Sequence, residues 1–356
     1  MNILEQIDNL ANTSQKDSWS DMVTGKAILN PEQATTFLRG LQISDPVMTL
    51  STLKLMNKPS RQGSRFSISR GALQWGYSSG HTTKTSLTEA TKNFTPIEVN
   101  TTKMKALTSY TDDEMEENIE MQSFQQTLLD EMAYIIGQDN AEWHYFGDTT
   151  IAAAKDPNAC LKAGDGWIKR TASANKIVSK GIDSTNGAFD VADGVEVMFD
   201  AMRAKLPIEA RQKVATNGVF LCPYEIEDAY RNSQIGRYTP LGDSRLEGYD
   251  GLKYKNIPVI YSPALDSEIG QAIDDTATCI LTTPDNLEQN VFKQMTVEFE
   301  REASDEVTNV YFKYKAMPSL VNENYIVTAK IGADEKAEIQ SSNFNRPVVT
   351  IDAGEG

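Results

Sequence analysis

The chain has 356 residues, 40% of them hydrophobic, and carries 34 Lys and Arg against 50 Asp and Glu, for a formal net charge of −16. That length and apolar content suffice for cores in one large domain or roughly two to three smaller ones, which excludes a disordered chain. The acidity excludes a general nucleic-acid binder, which needs a basic face to displace phosphate counterions, but leaves room for a local basic patch.

No run approaches the ~18 apolar residues of a membrane span, and the start MNILEQIDNLANTSQKD has neither a basic lead nor an uninterrupted apolar stretch. The pattern predicts no membrane segment, no signal peptide and a cytosolic location. Cys160, Cys222 and Cys279 lie far apart in sequence with no metal-type spacing, so they are expected to be buried small apolar residues in a reducing compartment.

Residues 1–58 read as an arm of short helices. Ile3, Leu4, Ile7 and Leu10 share one helical face; Asn30 and Pro31 open PEQATTFLR, which Gly40 stops; Asp45 and Pro46 open VMTLSTLKLM. Each is too short to be stable alone and needs a surface to lie on. Residues 59–96 alternate small polar and apolar residues around GALQWGYSSGH, the pattern of a long, thinly buried β-hairpin that rests on a partner. From Lys54 to Lys92 there are seven Lys or Arg and one acid, Glu89, the only strongly basic region evident along the chain.

The segment from Ile97 to Asp148 is the most informative. An alternating strand, IEVNTTKMKAL, leads into TDDEME, where Thr111 and Glu114 have capping-box spacing and acids crowd the helix start that favours negative charge. Met115, Ile119, Leu128, Met132 and Ile136 then form one apolar stripe along a helix of roughly thirty residues, ending in WHYFGD. Residues 149–189 read as loops. Val191, Val195, Met198, Phe199, Met202 and Leu206 predict an amphipathic helix ending at Pro207, followed by strand GVFLC, helix PYEIEDAYRNS, a loop over 234–250, and strands IPVIY and ATCILTT, a small sheet with helices against it. MTVEFERE, NVYFKYKAM and NYIVTAK alternate with period two and predict an antiparallel sheet that pairs with the strand at 97–107. The tail over 332–356 is polar and is assigned no element.

Gly76-Tyr77-Ser78-Ser79-Gly80 matches the G-x-S-x-G nucleophile elbow, but FSISRGALQW before it and HTTKTS after it supply neither the buried strand nor the helix that an elbow needs. A Gly/Ser hairpin tip explains the same letters. With two histidines, His81 and His144, no metal or nucleotide motif and an acidic cluster already explained as a helix start, the expectation is no catalytic residue, no cofactor and no metal. Electrostatics is more productive. Residues 111–131 hold eight acids and no Lys or Arg, opposite in sign to the hairpin. The intersubunit contact candidates are Arg61, Arg65, Arg70, Lys84 and Lys92 with Asp112, Asp113, Glu116, Glu117 and Glu120, since complementary patches set register.

The order of these segments resembles the major capsid protein of tailed bacteriophages, the Hong Kong 97 fold. The likest pieces are PEQATTFLRGLQ, residues 97–148, LCPYEIEDAYRNSQIGRY followed by GLKYKNIPVIYSP, and TTPDNLEQNV. The resemblance implies an α+β fold with an N-terminal arm (1–58), an extended loop (59–96), a peripheral domain with a long spine helix (97–190 and 286–331), an inserted axial domain (191–285) and a C-terminal tail (332–356). It implies a non-enzymatic shell protein forming the hexamers and pentamers of an icosahedral head that encloses double-stranded DNA without sequence-specific binding. The partners it implies are other copies of the chain, a separate scaffolding protein, a portal and a decoration protein. The location is the virion, after assembly in the bacterial host cytoplasm. In such shells the extended loop lies across a neighbour's peripheral domain. The alternatives are an encapsulin-type compartment shell and, from another class, a serine hydrolase using Ser78.

Overall fold

The computed structural model describes residues 46–68, 91–117, 121–151, 158–191, 194–235, 251–266, 277–332 and 334–335. Pro46 opens a short helix, α1 (Pro46–Leu50), closed by the Ser51 hydroxyl, which donates to the Met48 carbonyl at 3.0 Å. The helix predicted through Met56 stops there because the next residues are claimed by a sheet as β1 (Thr52–Leu55). Tertiary pairing overrides a short local helix signal.

Strands β2 (Ser60–Ile68) and β3 (Lys92–Asn100) pair antiparallel from Ser60 opposite Asn100 to Ile68 opposite Lys92, in a two-stranded sheet of their own. The alternating run expected as one strand is then cut. Thr101 donates from both its N–H (2.9 Å) and its hydroxyl (2.8 Å) to the Pro59 carbonyl, and β4 (Thr102–Thr111) begins in another sheet. The capping box forms as the spacing predicts: Glu114 Oε2 accepts from the Thr111 N–H at 3.0 Å, and Thr111 Oγ1 accepts from the Glu114 N–H at 3.2 Å. Two helices follow, α2 (Asp112–Glu117) and the 26-residue α3 (Met121–Phe146); residues 118–120 between them lie outside the described residues.

The stretch expected as loops contains 3-10 turns at Asn158–Ala163 and Ser173–Asn175, helix α4 (Trp167–Arg170) and strand β5 (Lys176–Val178). The amphipathic helix is α5 (Val195–Lys205). A second helix that the pattern does not predict, α6 (Ile208–Asn217), starts beyond Pro207, whose carbonyl accepts from the N–H groups of Ala210 and Arg211. Next come β6 (Val219–Cys222), α7 (Tyr224–Ile235), β7 (Lys253–Tyr254), β8 (Ile257–Tyr261) and β9 (Ala277–Thr282), then β10 (Leu287–Glu302), β11 (Val307–Leu320) and β12 (Val327–Ile331).

These strands build a four-stranded sheet, β1-β10-β11-β4, and a six-stranded sheet, β5-β12-β9-β6-β8-β7. Two of the three expected return strands, β10 and β11, pair as antiparallel neighbours beside β4. The third is a correction: β12 leaves that sheet and pairs with β9 and β5. Its residues Val327, Thr328 and Ala329 are all buried, which suits a strand covered on both faces rather than one with a wet side.

Three cores result. Met198, Phe199 and Met202 of α5, Ala210 and Val214 of α6 and Ile226 and Tyr230 of α7 cover one face of the six-stranded sheet. Val219, Leu221 and Ile280 on its other face meet Tyr145, Trp167 and Leu320. Leu128, Met132 and Ile136 of α3 and the fully buried Trp143 pack on Val297, Val310 and Phe312, the inner face of the four-stranded sheet. Each such large apolar side chain contributes about 1.5–3 kcal/mol. The end of α3 therefore belongs to two cores at once.

Candidate intersubunit surfaces

Among the described residues the β2/β3 hairpin is buried only at its root, where Val99 is 0% exposed and Ile97 packs beside it. Farther out Phe66 and Phe94 sit opposite each other, ring centroids 5.0 Å apart, and remain 51% and 65% exposed. An aromatic pair left in water on a two-stranded ribbon lacks the support such ribbons need. The root is held by charge. Glu288, 2% exposed on β10, accepts from Lys54, from the Ser319 hydroxyl (2.8 Å) and lies 3.6 Å from Arg61, which also reaches Asn290 Oδ1 at 3.4 Å. A buried carboxylate gripped by two cations pins the hairpin to the sheet.

The expected contact residues divide accordingly. Arg61 and Asp112 each have partners within the chain, Glu288 and Arg301 respectively. Arg65 lies on the hairpin beside Phe66; Lys92 is exposed at the far end of the described ladder. Asp113 is exposed on α2, and Glu116 and Glu117 complete that helix. Arg70, Lys84 and Glu120 lie outside the described residues, as do residues 69–90 with Ser78 and His81.

A second basic surface, absent from the sequence expectations, covers the outer face of the four-stranded sheet. Lys103 is opposite Lys315, Lys315 opposite Lys293, and Lys105 opposite Lys313. The Lys105 ammonium first, then slight desolvation, then Lys313, Lys315 and Lys293 pull the pKa of the exposed Lys103 below its ordinary value. The hairpin is therefore not the only basic region. The signal was present as KMK at 103–105 and KYK at 313–315, but three strands distant in sequence had to be laid side by side before five charges became one patch.

Along the same face the sign reverses. After the lysine rungs come Glu298, Tyr311 and Leu107, then Glu300, Asn309 and Ser109, then Glu302, Val307 and Thr111, with Asp305 and Glu306 in the turn beyond. Glu298 pairs with Lys313, and Leu107 is 57% exposed at the middle of the face.

The interior offers little to catalysis. His144 is 0% exposed; its ring lies edge-on to Trp143 and Trp167, and Nδ1 is 2.6 Å from the Asn140 carbonyl. Burial outweighs that hydrogen bond and lowers its pKa from 6.5 to about 4. A neutral imidazole sealed between two indoles is a packing group, as its place among aromatics suggests. A cavity of about 260 Å³ lies between α3 and β4/β11, lined by Met104, Ile136, Phe312, Tyr314, Cys160 and Asp139, whose pKa burial raises. Among the described residues no three His, Cys, Asp or Glu are grouped to hold a metal, and no helix is long and apolar enough to cross a membrane.

The fold itself is shared with phage shells. A chain of the satellite phage P4 procapsid, in a structure including size determination (Sid) protein, matches with a TM-score of 0.61 at 11% identity, covering 93% of this chain and 99% of that one. A chain of the capsid of the native GTA particle matches at 0.53 and 12%, covering 83% and 91%, and one from Mycobacterium phage Adephagia at 0.52 and 11%, covering 80% and 89%. The chain has the mixed helix and sheet fold of phage capsid proteins. No family model and no curated protein matches the sequence.

Proposed function

We propose that this chain is a structural major capsid protein, self-assembling into hexamers and pentamers of an icosahedral phage head around double-stranded DNA, without catalytic turnover. The observation that carries the reading is the fold, shared with chains of assembled phage shells over most of both chains. The projecting hairpin supports it, since Phe66 and Phe94 gain cover only from something outside the described chain.

In this reading residues 59–96 form the extended loop, α3 is the spine of a peripheral domain within 97–190 and 286–331, residues 191–285 are the axial insertion, whose sheet is completed by β5 and β12 from outside the bounds read in the sequence, 1–58 are the arm and 332–356 the tail. The hairpin of one copy lies on a neighbour, Arg65 and Lys92, with Arg70 and Lys84 beyond, meeting Asp113, Glu116, Glu117 and Glu120, while Arg61 is partly engaged by Glu288 and Asp112 by Arg301. A scaffolding protein, a portal and a decoration protein are the further partners, and assembly takes place in the bacterial cytoplasm.

The test is to express the chain in a bacterium, with and without its genomic neighbours, and examine sedimentation and negative-stain images. Closed particles containing DNA when packaging partners are present support the reading. Closed particles that enclose protein cargo and no nucleic acid would transfer the chain to the encapsulin type. Labelling of Ser78 by a fluorophosphonate would revive the hydrolase alternative, whereas a shell protein leaves the probe unreacted.

A further inference from the structure

The outer face of the four-stranded sheet is a charge gradient with two unlike ends. We propose that it is a head-to-tail contact between copies of this chain, the lysine end of one receiving the carboxylate tip of the next; this rests on the shell reading above.

Like charges directly opposite each other weaken a sheet, and here they recur in successive rungs: Lys103, Lys315 and Lys293, then Lys105 and Lys313. Guarding an exposed edge against aggregation explains Lys103 and Lys105, because β4 is an edge strand. It does not explain Lys313 and Lys315, which lie on β11 with β10 on one side and β4 on the other. Among the described residues only Lys313 of the five has a carboxylate partner, Glu298. At the other end Glu302 and Asp305 have no cationic partner among the described residues, and Glu300 is engaged by the Tyr311 hydroxyl.

Glu298 on Lys313 neutralises the middle of the gradient, but its two ends lie beyond each other's reach. From Lys103 to Thr111 the strand advances eight residues, about 27 Å, several times the ~8 Å screening length at physiological salt. A second copy shifted along the strand direction brings unlike ends together: its Glu302, Asp305 and Glu306 enter where the lysines repel one another. Unlike patches on one face can also satisfy each other twice about a two-fold axis; a copy displaced along the strand instead leaves one pole of each chain free for the next, the heterologous kind of contact that propagates and closes rings. The basic hairpin is repelled from the lysine end, while the carboxylate tip, where the Glu306 carbonyl accepts from the Asp112 N–H at 3.0 Å, adjoins the acidic helix start that the hairpin is read to meet.

The experiment uses the full chain. Lys103→Glu, Lys105→Glu and Lys315→Glu together reverse one pole; Glu302→Lys and Asp305→Lys reverse the other. Either set alone is expected to lower particle yield, read by light scattering and negative stain, about tenfold or more at low salt, and both sets in one chain to restore most of it. The neutral set Lys103→Gln, Lys105→Gln and Lys315→Gln should give an intermediate yield with weaker salt dependence, and it carries the test if a reversed chain fails to fold. Reversed and neutral chains that all assemble like the parent would overturn the proposal. So would a combined chain that melts like the parent yet is not restored, or lysine-reversed particles that form normally but lose nucleic acid, which would assign the lysines to a polyanion. A parent chain that forms no particles overturns the shell reading instead; the same charge-swap comparison on pairwise association by sedimentation then decides the contact.

Discussion

Gly147 sits where two stretches of backbone, the end of α3 and residues 164–166, converge. A Cβ there would lie 2.3 Å from the Gly164 carbonyl oxygen, 2.7 Å from that of Trp143 and 2.9 Å from the Gly166 nitrogen, so no flexible side chain can yield to it. Gly147→Ala is expected to destabilise the fold by about 2–3 kcal/mol, seen as a lowered urea midpoint at unchanged slope. An unchanged midpoint would show that the loop after α3 can move aside. Three residues earlier, His144 ties stability to pH. Its native pKa of about 4 lies below the ordinary 6.5, so between those values the unfolded chain binds a proton that the native chain refuses. Stability is therefore full above about pH 6.5 and falls as the pH drops towards 4, by roughly 3 kcal/mol in all. Urea midpoints at about pH 7.5 and 4.5 should diverge less in His144→Phe than in the parent; equal divergence would put the titration elsewhere. The cysteines differ from their sequence picture in two respects: Cys160 is half-buried rather than buried, and the other two meet. Cys222 and Cys279, distant along the chain, lie on neighbouring strands with their thiols hydrogen-bonded, and burial raises the pKa of Cys279 and pushes Cys160 up to about 12. All three thiols should resist a disulfide-exchange reagent at pH 8 until urea is added.

At the scale of elements, the hairpin and its socket make separable predictions. Glu288→Ala leaves Lys54 and Arg61 facing a buried void; both are more than a third exposed and can turn to water, so the expected loss is about 1–2 kcal/mol, measured by urea unfolding, with faster proteolysis of the hairpin root. Phe66→Ser with Phe94→Ser should leave the monomer's stability within about 0.5 kcal/mol of the parent while lowering particle yield; a monomer that loses several times that would mean the pair packs on its own chain. Legibility followed locality. The Thr111–Glu114 capping box, the α3 stripe and the strands GVFLC, IPVIY and ATCILTT are written in spacings of a few residues and were readable. The end of α1 at Leu50, the break at Thr101 and the departure of β12 to the second sheet are decided by partners far along the chain, β10, Pro59 and β9, which a periodicity cannot name. The lysine face was hidden for the same reason, because each strand contributes an innocuous pair.

For the whole molecule, the β10/β11 ladder feeds two cores: Val297, Val310 and Phe312 belong to the one beneath α3, while Leu287 and Leu320 belong to the one against the six-stranded sheet. Trp143 and Tyr145 divide α3 in the same way. Neither sheet can be lost without exposing the other's apolar face, so calorimetry should give one transition with matching calorimetric and van't Hoff enthalpies; two resolved transitions would show that the sheets unfold separately. The one narrow place is Thr101. The hairpin is joined to the body through a single residue on one side, held by two hydrogen bonds to one carbonyl. The buried Val99 and the Arg61–Glu288 pair fix that joint at its root. In the shell reading identical subunits tile a closed surface and meet at more than one angle; with Val99 seated in the core beneath α3, that adjustment falls on the length of ribbon beyond Ile97, which can bend to a flatter or a more sharply curved neighbourhood while its root stays put.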